Sequence, residues 1–464
     1  MSNIALGDAV FLLGESPGRP AQVITLQLFR PPDGADADAW VGDYFRDLLV
    51  SDNIKPVFRR RPKRGVLSPT TFRWVDDEPV ELEHHVRRSA LPGPGRVREL
   101  LEAVSVQHGV PLDRSRPLWE FHIFQGLEGG RFATAFKTHH AIADGMSLAS
   151  HVLGALSTDP ADRSCLPPWA LPTGQEAVRP RTQETRPGLP GLALGGTAVR
   201  SLLDMARNAS AVRSLLDMAF DASATMPFQA PPSPLNVKIG MSRRFAGDQW
   251  PLERLKPVAV AAGATVNDVG IAMVGGALRS YLRELGSLPE RSLVAMVPVS
   301  VRRQGAKFSE GEGNAFGALL CDLGTDHDDP ARRLGSVRDQ TAAAKERFSR
   351  MTPAEVLVVS KLLMGGVVVS SLTGITALPR YPFNLIISNV PAANRPLYAN
   401  GARMTDIYPV SMISEAQAMN VTLTRYDDQM TFGIVGDRRA LPHLQRMLVH
   451  LDDALVALEK SVLD

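Results

Sequence analysis

The sequence predicts an α/β (α+β) protein with two domains, and three observations support this fold class. The chain has 464 residues, which is long for a single hydrophobic core, so two domains are expected. Strand-like alternation and helical periodicity occur together in both halves. A proline-rich stretch over residues 157–234 separates the halves. We therefore assign residues 1–165 to a first domain, 166–234 to a connection and 235–464 to a second domain.

Helices and strands alternate through the first half. Two apolar runs on either side of Gly129 and Gly130 predict a β-hairpin. Trp119 stands at the start of this hairpin and is predicted to be a packing anchor, because the indole is large and apolar. The predicted elements are, in order, helix 6–13, strand 22–29, helix 98–110, strands 119–124 and 132–138, and helix 146–156.

Two charged features of the first half lie outside these elements. Glu15 stands at the end of the first helix beside a Pro-Gly turn, and we expect a solvated loop charge there. Residues 59–64 carry five cations in six positions. Such a cluster suits anionic phosphates, on a thioester carrier or on lipid headgroups, and a solvated basic loop is the alternative. An acidic segment over residues 74–86 follows.

The connection contains an internal repeat. Residues 199–206 recur as residues 212–219, an offset of thirteen positions. At about 100° per residue this offset turns the second copy by roughly 220°. Either the helix breaks near residues 208–210, or it is wedged between two apolar surfaces, and we place the crossover between the domains here.

The second half again mixes strands and helices. Thr265 is predicted to cap a long helix that ends at Leu285. Asn267 and Asp268 fall in its first turn, where a carboxylate complements the helix dipole, and helix capping is the favoured explanation for both. The other predicted elements are strand 235–245, helix 252–262, strands 293–301 and 316–323, helices 337–348 and 353–364, strands 383–387, 402–409, 418–425 and 430–435, and helix 441–463.

The motif His139-His140-x-x-x-Asp144-Gly145 carries the strongest chemical signal. It follows a predicted strand and precedes a predicted helix, so the strand end fixes the backbone while the turn exposes a ring. A neutral imidazole is the side chain best suited to remove a proton from a hydroxyl group near neutral pH. Paired histidines also occur as metal ligands or as hydrogen-bonded polar residues at strand ends. The pair His84-His85 lacks the aspartate and glycine that follow the first pair.

Composition excludes several classes of protein. The net charge is +2, so general nucleic-acid binding is not expected. With only two cysteines, neither a disulfide framework nor a zinc site is predicted. The N-terminus lacks the pattern of a signal peptide. The longest uncharged apolar run, residues 362–378, is short and glycine-rich for a spanning helix. We predict a cytoplasmic protein that rests on a membrane or lipid inclusion.

Four motifs occur in order along the chain: Arg116-Pro117-Leu118-Trp119-Glu120, His139-His140-x-x-x-Asp144-Gly145, Asn267-Asp268, and the run from Phe383 through Ser388-Asn389-Val390-Pro391. With these motifs in this order, the sequence resembles the bacterial wax ester synthase/diacylglycerol acyltransferase family, within the chloramphenicol-acetyltransferase-like superfamily. The resemblance covers essentially the whole chain. One segment departs from it, because Ala21-Gln22-Val23-Ile24 stands where the family tends to have Met-His-Val-Gly, a difference that bears on alcohol preference.

The resemblance implies two chloramphenicol-acetyltransferase-like domains, side by side, with an active-site tunnel at their interface. His140 would be the proton acceptor and Asp144 a structural brace, and our hypothesis is that Arg302 pairs with Asp144. Ser388 and Asn389 are candidate donors to the oxyanion, with a simple polar turn before Pro391 as the alternative.

The predicted function is O-acyl transfer from acyl-CoA to a long-chain alcohol, to diacylglycerol, or to both. Transfer would be direct, with no covalent acyl-enzyme, because a positioned base leaves no need for a serine or cysteine nucleophile. No cofactor or metal is expected, since acyl-CoA is a substrate. A condensation domain of a peptide synthetase, which shares the paired-histidine motif, and a non-catalytic lipid-surface protein are the alternatives.

Overall fold

A computed structural model describes residues 2–4, 6–51, 53–65, 71–172, 228–300, 316–352, 355–356 and 381–464. In these ranges, helices pack on two six-stranded sheets, and a separate three-stranded sheet lies beside the first. The predicted α/β (α+β) class is therefore confirmed. Arg302, the repeat at 199–219 and the apolar run at 362–378 lie outside the described residues.

The first sheet contains the predicted hairpin. Strand β6 (Trp119–Leu127) pairs antiparallel with β7 (Arg131–His139). Gly129 and Gly130 join them with φ values of 74° and 67°, which favour glycine because a Cβ is strained there. The sheet has the spatial order β12 (Tyr398–Ala399), β13 (Ala402–Val410), β2 (Gln22–Arg30), β7, β6 and β5 (Val86–Ala90).

Two strands of this sheet come from the second half of the chain. Strand β13 pairs antiparallel with β2, from Arg403 opposite Arg30 to Val410 opposite Ile24. The second half therefore contributes directly to the sheet that ends at the paired histidines. The helices of the first half are α1 (Leu6–Gly14), α2 (Ala37–Leu49), α3 (Leu82–His85), α4 (Val97–Gly109) and α5 (Gly145–Leu153).

The second sheet and its helices are built from residues after 242. The strand predicted at 235–245 is displaced, because Asn236 donates to the carbonyl oxygens of Phe383 and Ala416 in an irregular segment. The sheet order is β10 (Phe316–Asp322), β9 (Val294–Ser300), β11 (Leu385–Pro391), β14 (Met419–Tyr426), β15 (Gln429–Asp437) and β8 (Arg243–Pro251). The helices are α6 (Leu252–Ala261), α7 (Val266–Glu284), α8 (Pro330–Arg350) and α9 (Arg446–Leu463).

One hydrophobic core joins the two halves. Leu100 and Val104 of α4 belong to the same buried cluster as Phe245 of β8. Ser105 Oγ also accepts a hydrogen bond from the Phe245 backbone N–H, 2.8 Å away. The seam between the halves is therefore packed like an interior, which fixes the residues on either side of it.

Most of the basic cluster forms a strand of the three-stranded sheet. The order of this sheet is β1 (Ser2–Asn3), β4 (Phe72–Asp76) and β3 (Arg60–Arg64). We call it the small sheet. The loop interpretation of this cluster is wrong, because residues 60–64 form a strand. Its antiparallel partner is β4, which overlaps the start of the acidic segment.

The described residues were also tested for membrane spans. No single helix among them is both long and apolar enough to cross a bilayer. Helices α6 and α7 reach that length and composition only as a pair, and they are bent by 99°. A lipid surface as a partner stays a prediction, since residues 362–378 lie outside the described chain.

Candidate active site

His140 lies in the turn that follows β7, where its ring is held by an aromatic neighbour. Its backbone N–H donates to the carbonyl oxygen of Ala21, 2.8 Å away. The ring stacks on Phe11 of α1, with centroids 4.2 Å apart and planes 25° from parallel. Nδ1 is buried and has no hydrogen-bond partner among the described residues. The ring is therefore positioned by packing, and Nδ1 makes no hydrogen bond that would fix it.

Burial also sets the protonation state of His140. Removal from water lowers the pKa of the imidazole below its usual 6.5, and the negative charge of Asp144 opposes this only in part. His139 lowers the pKa further. The ring is consequently neutral at physiological pH, as a proton acceptor must be.

His139 makes the structural contacts of the pair. Its side chain is 0% exposed. Nδ1 accepts a hydrogen bond from the Ala141 backbone N–H at 3.0 Å, and Nε2 lies 3.5 Å from Glu15 Oε1. Because both ring nitrogens face protein groups, His139 stabilises the turn that presents His140.

Glu15 overturns the expectation of a solvated charge. Its side chain is only 5% exposed, and its Oε2 accepts from Arg114 Nε and Nη2 at 2.9 and 2.6 Å. Oε1 accepts from the Ala21 backbone N–H at 3.1 Å. Burial alone would raise the pKa of this carboxyl, but the nearby His139 ring, Arg114 and the Ala21 N–H together lower it to about 2.

Sequence reasoning missed Glu15 because its partners are remote. Arg114 lies 99 residues further along the chain, and no pattern near Glu15 indicates that contact. The only local signal is a lone carboxylate between an apolar helix and a Pro-Gly turn, which occurs in many solvated loops.

Asp144 and Gly145 begin helix α5. The carboxylate Oδ1 of Asp144 accepts from the Ser147 backbone N–H at 2.6 Å, so this residue is the N-cap of the helix. A Cβ on Gly145 would lie 4.0 Å from Val390 Cγ2 of β11. The turn after His140 is therefore packed against the second half. The hypothesis that Arg302 pairs with Asp144 concerns a residue outside the described chain.

The Asn-Asp motif and the late strand motif meet at the start of α7. Asn389 Nδ2 donates to Asn267 Oδ1 at 2.9 Å, and Ser388 is half-buried on the same strand as Asn389. Asp268 Oδ2 accepts from the backbone N–H and Oγ1 of Thr265, at 2.8 and 2.7 Å. Asp268 thus completes a capping box with the predicted N-cap residue.

Trp119 is a buried packing residue of the first sheet. Its indole N–H donates to the Phe58 carbonyl oxygen, 2.9 Å away. The ring stacks on His85 and on Trp169, at centroid distances of 4.3 and 5.1 Å. Through Thr138, its register partner on β7, it supports the strand that ends at the paired histidines.

An apolar cavity lies between the halves beside the motif turn. Its volume is about 380 Å³ including the open mouth. His140 is not among its lining residues; the wall from α5 begins at Gly145. Two of its hydroxyl groups are already bonded, since Thr424 Oγ1 donates to the Val390 carbonyl oxygen and Ser411 Oγ pairs with Thr422 Oγ1. The cavity therefore presents mainly hydrocarbon. It is lined by Val23, Ile24, Thr25, Gly145, Leu148, Ala149, Val390, Pro391, Ala392, Ile407, Pro409, Val410, Ser411 and Thr424.

Comparison with known proteins places this geometry in context. The family model described as wax ester synthase/diacylglycerol acyltransferase catalytic domain matches residues 4–270, and the corresponding C-terminal domain matches residues 312–459. A Mycobacterium tuberculosis protein named as a diacylglycerol O-acyltransferase is 44% identical over 98% of this chain and 99% of its own length. The O-acyltransferase WSD of Acinetobacter baylyi is 37% identical over 97% of this chain and 96% of its own length.

Two solved structures superpose on the chain over essentially its whole length. The wax ester synthase/diacylglycerol acyltransferase from Marinobacter aquaeolei VT8 superposes with a TM-score of 0.80 at 36% identity, covering 100% of both chains. The first condensation domain of the calcium-dependent antibiotic synthetase superposes with a TM-score of 0.60 at 16% identity, covering 100% of this chain and 96% of its own. At that identity the second match shows a shared fold alone.

Proposed function

Because the chain belongs to the wax ester synthase/diacylglycerol acyltransferase family and is thus an O-acyltransferase, we propose that it moves a fatty acyl group from acyl-CoA to a long-chain alcohol or to diacylglycerol. The observation that carries this proposal is His140. It combines a strand-end position, a ring held by stacking on Phe11 and a lowered pKa at the seam of the two halves. Those are the properties of a general base for a hydroxyl group.

The proposed reaction is a single displacement through a tetrahedral intermediate. His140 takes the proton of the acceptor hydroxyl, and the oxygen attacks the carbonyl carbon of the thioester. The carbon–sulfur bond then breaks, and the imidazolium returns the proton to the departing CoA thiolate. Since Nδ1 is buried, we assign Nε2 as the nitrogen that exchanges the proton.

The oxyanion of the intermediate needs a donor from the protein. Such a donor contributes about 3 kcal/mol to catalysis in other enzymes. Asn389 already directs one amide hydrogen to Asn267, whereas Ser388 stands next to it on the strand that packs on α5. We therefore favour Ser388 for this role, with Asn389 as the second candidate.

The apolar cavity is our candidate site for one of the two alkyl chains. A hydrocarbon chain bound there is removed from water, which stabilises the bound state by roughly 0.8 kcal/mol per buried methylene group. The cavity is lined by Gly145, Leu148 and Ala149 of α5. This helix follows the turn that carries His140, so we assign the reacting end of the bound chain to the side of that turn. Holding both substrates in one orientation contributes further to the rate.

Ala149→Phe is expected to shorten the preferred chain. Ala149 lines the cavity, so a phenyl ring there occupies space that a long chain needs. The ratio of kcat/KM for 16-carbon over 8-carbon substrates should fall about tenfold in either the acyl or the alcohol series. Val50→Phe is the matched control, because Val50 is exposed at the end of α2. Unchanged chain-length profiles in both series would refute this assignment of the cavity.

The pH dependence of transfer should report the environment of His140. Only the neutral ring accepts a proton, and burial lowers its pKa below 6.5. Activity should therefore persist below pH 6.5 and fall only as the pH passes the lowered value. Asp144→Asn keeps a capping side chain but removes the charge that raises the pKa, so its acidic limb should move to still lower pH. A wild-type acidic limb above 6.5 in kcat would contradict this prediction.

One assay tests the proposed function as a whole. Release of the CoA thiol is measured with palmitoyl-CoA against hexadecanol, shorter alcohols and diacylglycerol. Thiol release that depends on the acceptor, with ester formed in equal amount, is the expected result. No ester with any acceptor would refute the proposal.

A further inference from the structure

The cations of the small sheet, together with Arg59 just before β3, divide into two groups. Three of them are committed to the fold: Arg59 pairs with Glu78 at 3.0 Å, Arg61 pairs with Asp77 at 3.0 Å, and Arg60 lies over the Trp74 ring, 5.0 Å from its centre. These contacts join the basic strand to the acidic segment. They account for the first three cations of the cluster and leave those at the far end of β3.

Three exposed cations lie at that end of the sheet. Lys63 on β3 lies directly opposite Arg73 on β4, so their side chains share one face of the sheet. Arg64 reaches the same end from the other face, with its guanidinium 5.6 Å from the centre of the Phe72 ring. All three are exposed. In the part of the chain that the structure describes, no carboxylate forms an ion pair with any of them.

This arrangement is unfavourable without an anion. Like charges directly opposite each other on neighbouring strands destabilise a sheet. A lysine on an edge strand is a common protection against edge-to-edge association, and β3 is an edge strand. Arg73, however, lies on β4, the central strand, where no such protection is needed. Edge protection therefore does not explain the pair.

The small sheet packs directly on the catalytic turn. Phe72 and Trp74, on its inner face, belong to one buried cluster with Leu12 of α1 and with Ala141. Ala141 follows His140 in sequence. An anion held by the end of this sheet would therefore lie one layer of side chains from the turn that carries the base.

The surroundings favour a compact anion over a membrane surface. Helices and strands that rest on lipid present large apolar side chains beside their cations. Among the described residues of the small sheet, no large hydrophobic side chain is exposed. Guanidinium and ammonium groups grouped at one end of a sheet suit closely spaced phosphates instead.

We propose that Lys63, Arg64 and Arg73 bind the phosphate groups of the CoA part of the acyl donor. This inference rests on the proposed function, because it assigns a site for the donor of that reaction. It also separates the donor into two parts: the phosphates are held at the end of the small sheet, and the thioester reaches the turn beneath it.

The test compares two donors that differ only in their phosphates. The variant Lys63→Gln/Arg64→Gln/Arg73→Gln is assayed with palmitoyl-CoA and with palmitoyl-pantetheine, which carries the same thioester and no phosphate. KM for palmitoyl-CoA should rise about tenfold or more, the loss expected on removing charge-assisted contacts. KM for palmitoyl-pantetheine should not change. Added salt should raise KM for palmitoyl-CoA in the wild type and much less in the variant.

The controls separate the remaining outcomes. Lys460→Gln removes an exposed cation from α9 and should leave both KM values unchanged. An equal rise of KM with both donors, or no rise with either, would overturn the assignment. Unchanged KM together with weaker binding to phosphatidylglycerol vesicles would overturn it in favour of lipid headgroups. If the wild type transfers neither acyl group, the proposed function fails, and direct binding of CoA by calorimetry still tests the phosphate site.

Discussion

His140→Ala should leave a folded protein that transfers acyl groups at least 10²- to 10⁴-fold more slowly, which is about the contribution of a positioned general base. The substitution removes the ring that stacks on Phe11 and the nitrogen that we assign to proton transfer. It leaves the backbone bond to Ala21 in place, so the turn keeps its shape. KM for palmitoyl-CoA should change little, because the phosphate contacts are made elsewhere.

The measurement is kcat for thiol release from palmitoyl-CoA with hexadecanol, beside a thermal melt. His84→Ala is the matched control, since His84 belongs to the second histidine pair, on the short helix α3. It should keep wild-type kcat. If His140→Ala transferred acyl groups at the wild-type rate, His140 would not be the general base. If His140→Ala did not fold, His140→Gln would be measured instead, because its side chain retains more of the packing against Phe11.

Much of the fold could be predicted because its signals are local. The hairpin was visible from two apolar runs around Gly129 and Gly130, and the N-cap of α7 from Thr265 and Asp268, which lie three residues apart. A few neighbouring residues fix such features, because turn and cap geometry depends on backbone conformation and short hydrogen bonds.

Pairings between distant segments could not be predicted in this way. Strand β13 was expected as a strand, but not as a neighbour of β2; Thr405 donates to the Leu28 carbonyl oxygen across 377 residues of sequence. The same limit applies to the site. The motif supplied His139, His140 and Asp144, whereas Glu15 was assigned to solvent because its partners are brought to it only by the tertiary fold.

The segment after Glu15 connects the histidine turn to the second half. Arg19 lies 3.6 Å from Glu415, and Arg243 Nη2 donates to the Gly18 carbonyl oxygen at 3.0 Å. Both partners belong to the second half of the chain. Glu15 is therefore at one end of a segment that contacts both halves, with its Oε1 3.5 Å from His139 Nε2.

Glu15→Gln should lower both stability and kcat, because it removes the charge that Arg114 and His139 face. At about 1.4 kcal/mol per pKa unit, a pKa of about 2 in place of 4.5 corresponds to roughly 3 kcal/mol of stability at neutral pH. Loss of the contact at His139 Nε2 should also loosen the turn that holds His140. We expect kcat to fall at least tenfold while KM changes less.

The pH dependence gives this prediction its sign. The folded pKa of Glu15 lies below its unfolded value, so the carboxylate stabilises the protein above about pH 4.5, and this stability is lost as the pH falls towards about 2. The difference in melting temperature between wild type and Glu15→Gln should therefore be full at pH 7 and shrink between pH 4.5 and 2. A difference that stays constant over that window would contradict the buried-carboxylate account.

Glu120→Gln distinguishes a positioning role from a structural one. Glu120 is also buried, and the pKa of its carboxyl is likewise about 2: burial raises it, but His122, Lys137 and Arg87 outweigh that effect. Its hydrogen-bonded partners are His122 and Lys137 rather than His139. Both variants should lose stability, but only Glu15→Gln should lose kcat at temperatures where each remains folded. Equal losses of kcat in the two variants would mean that Glu15 acts through general stability and not through the ring of His139.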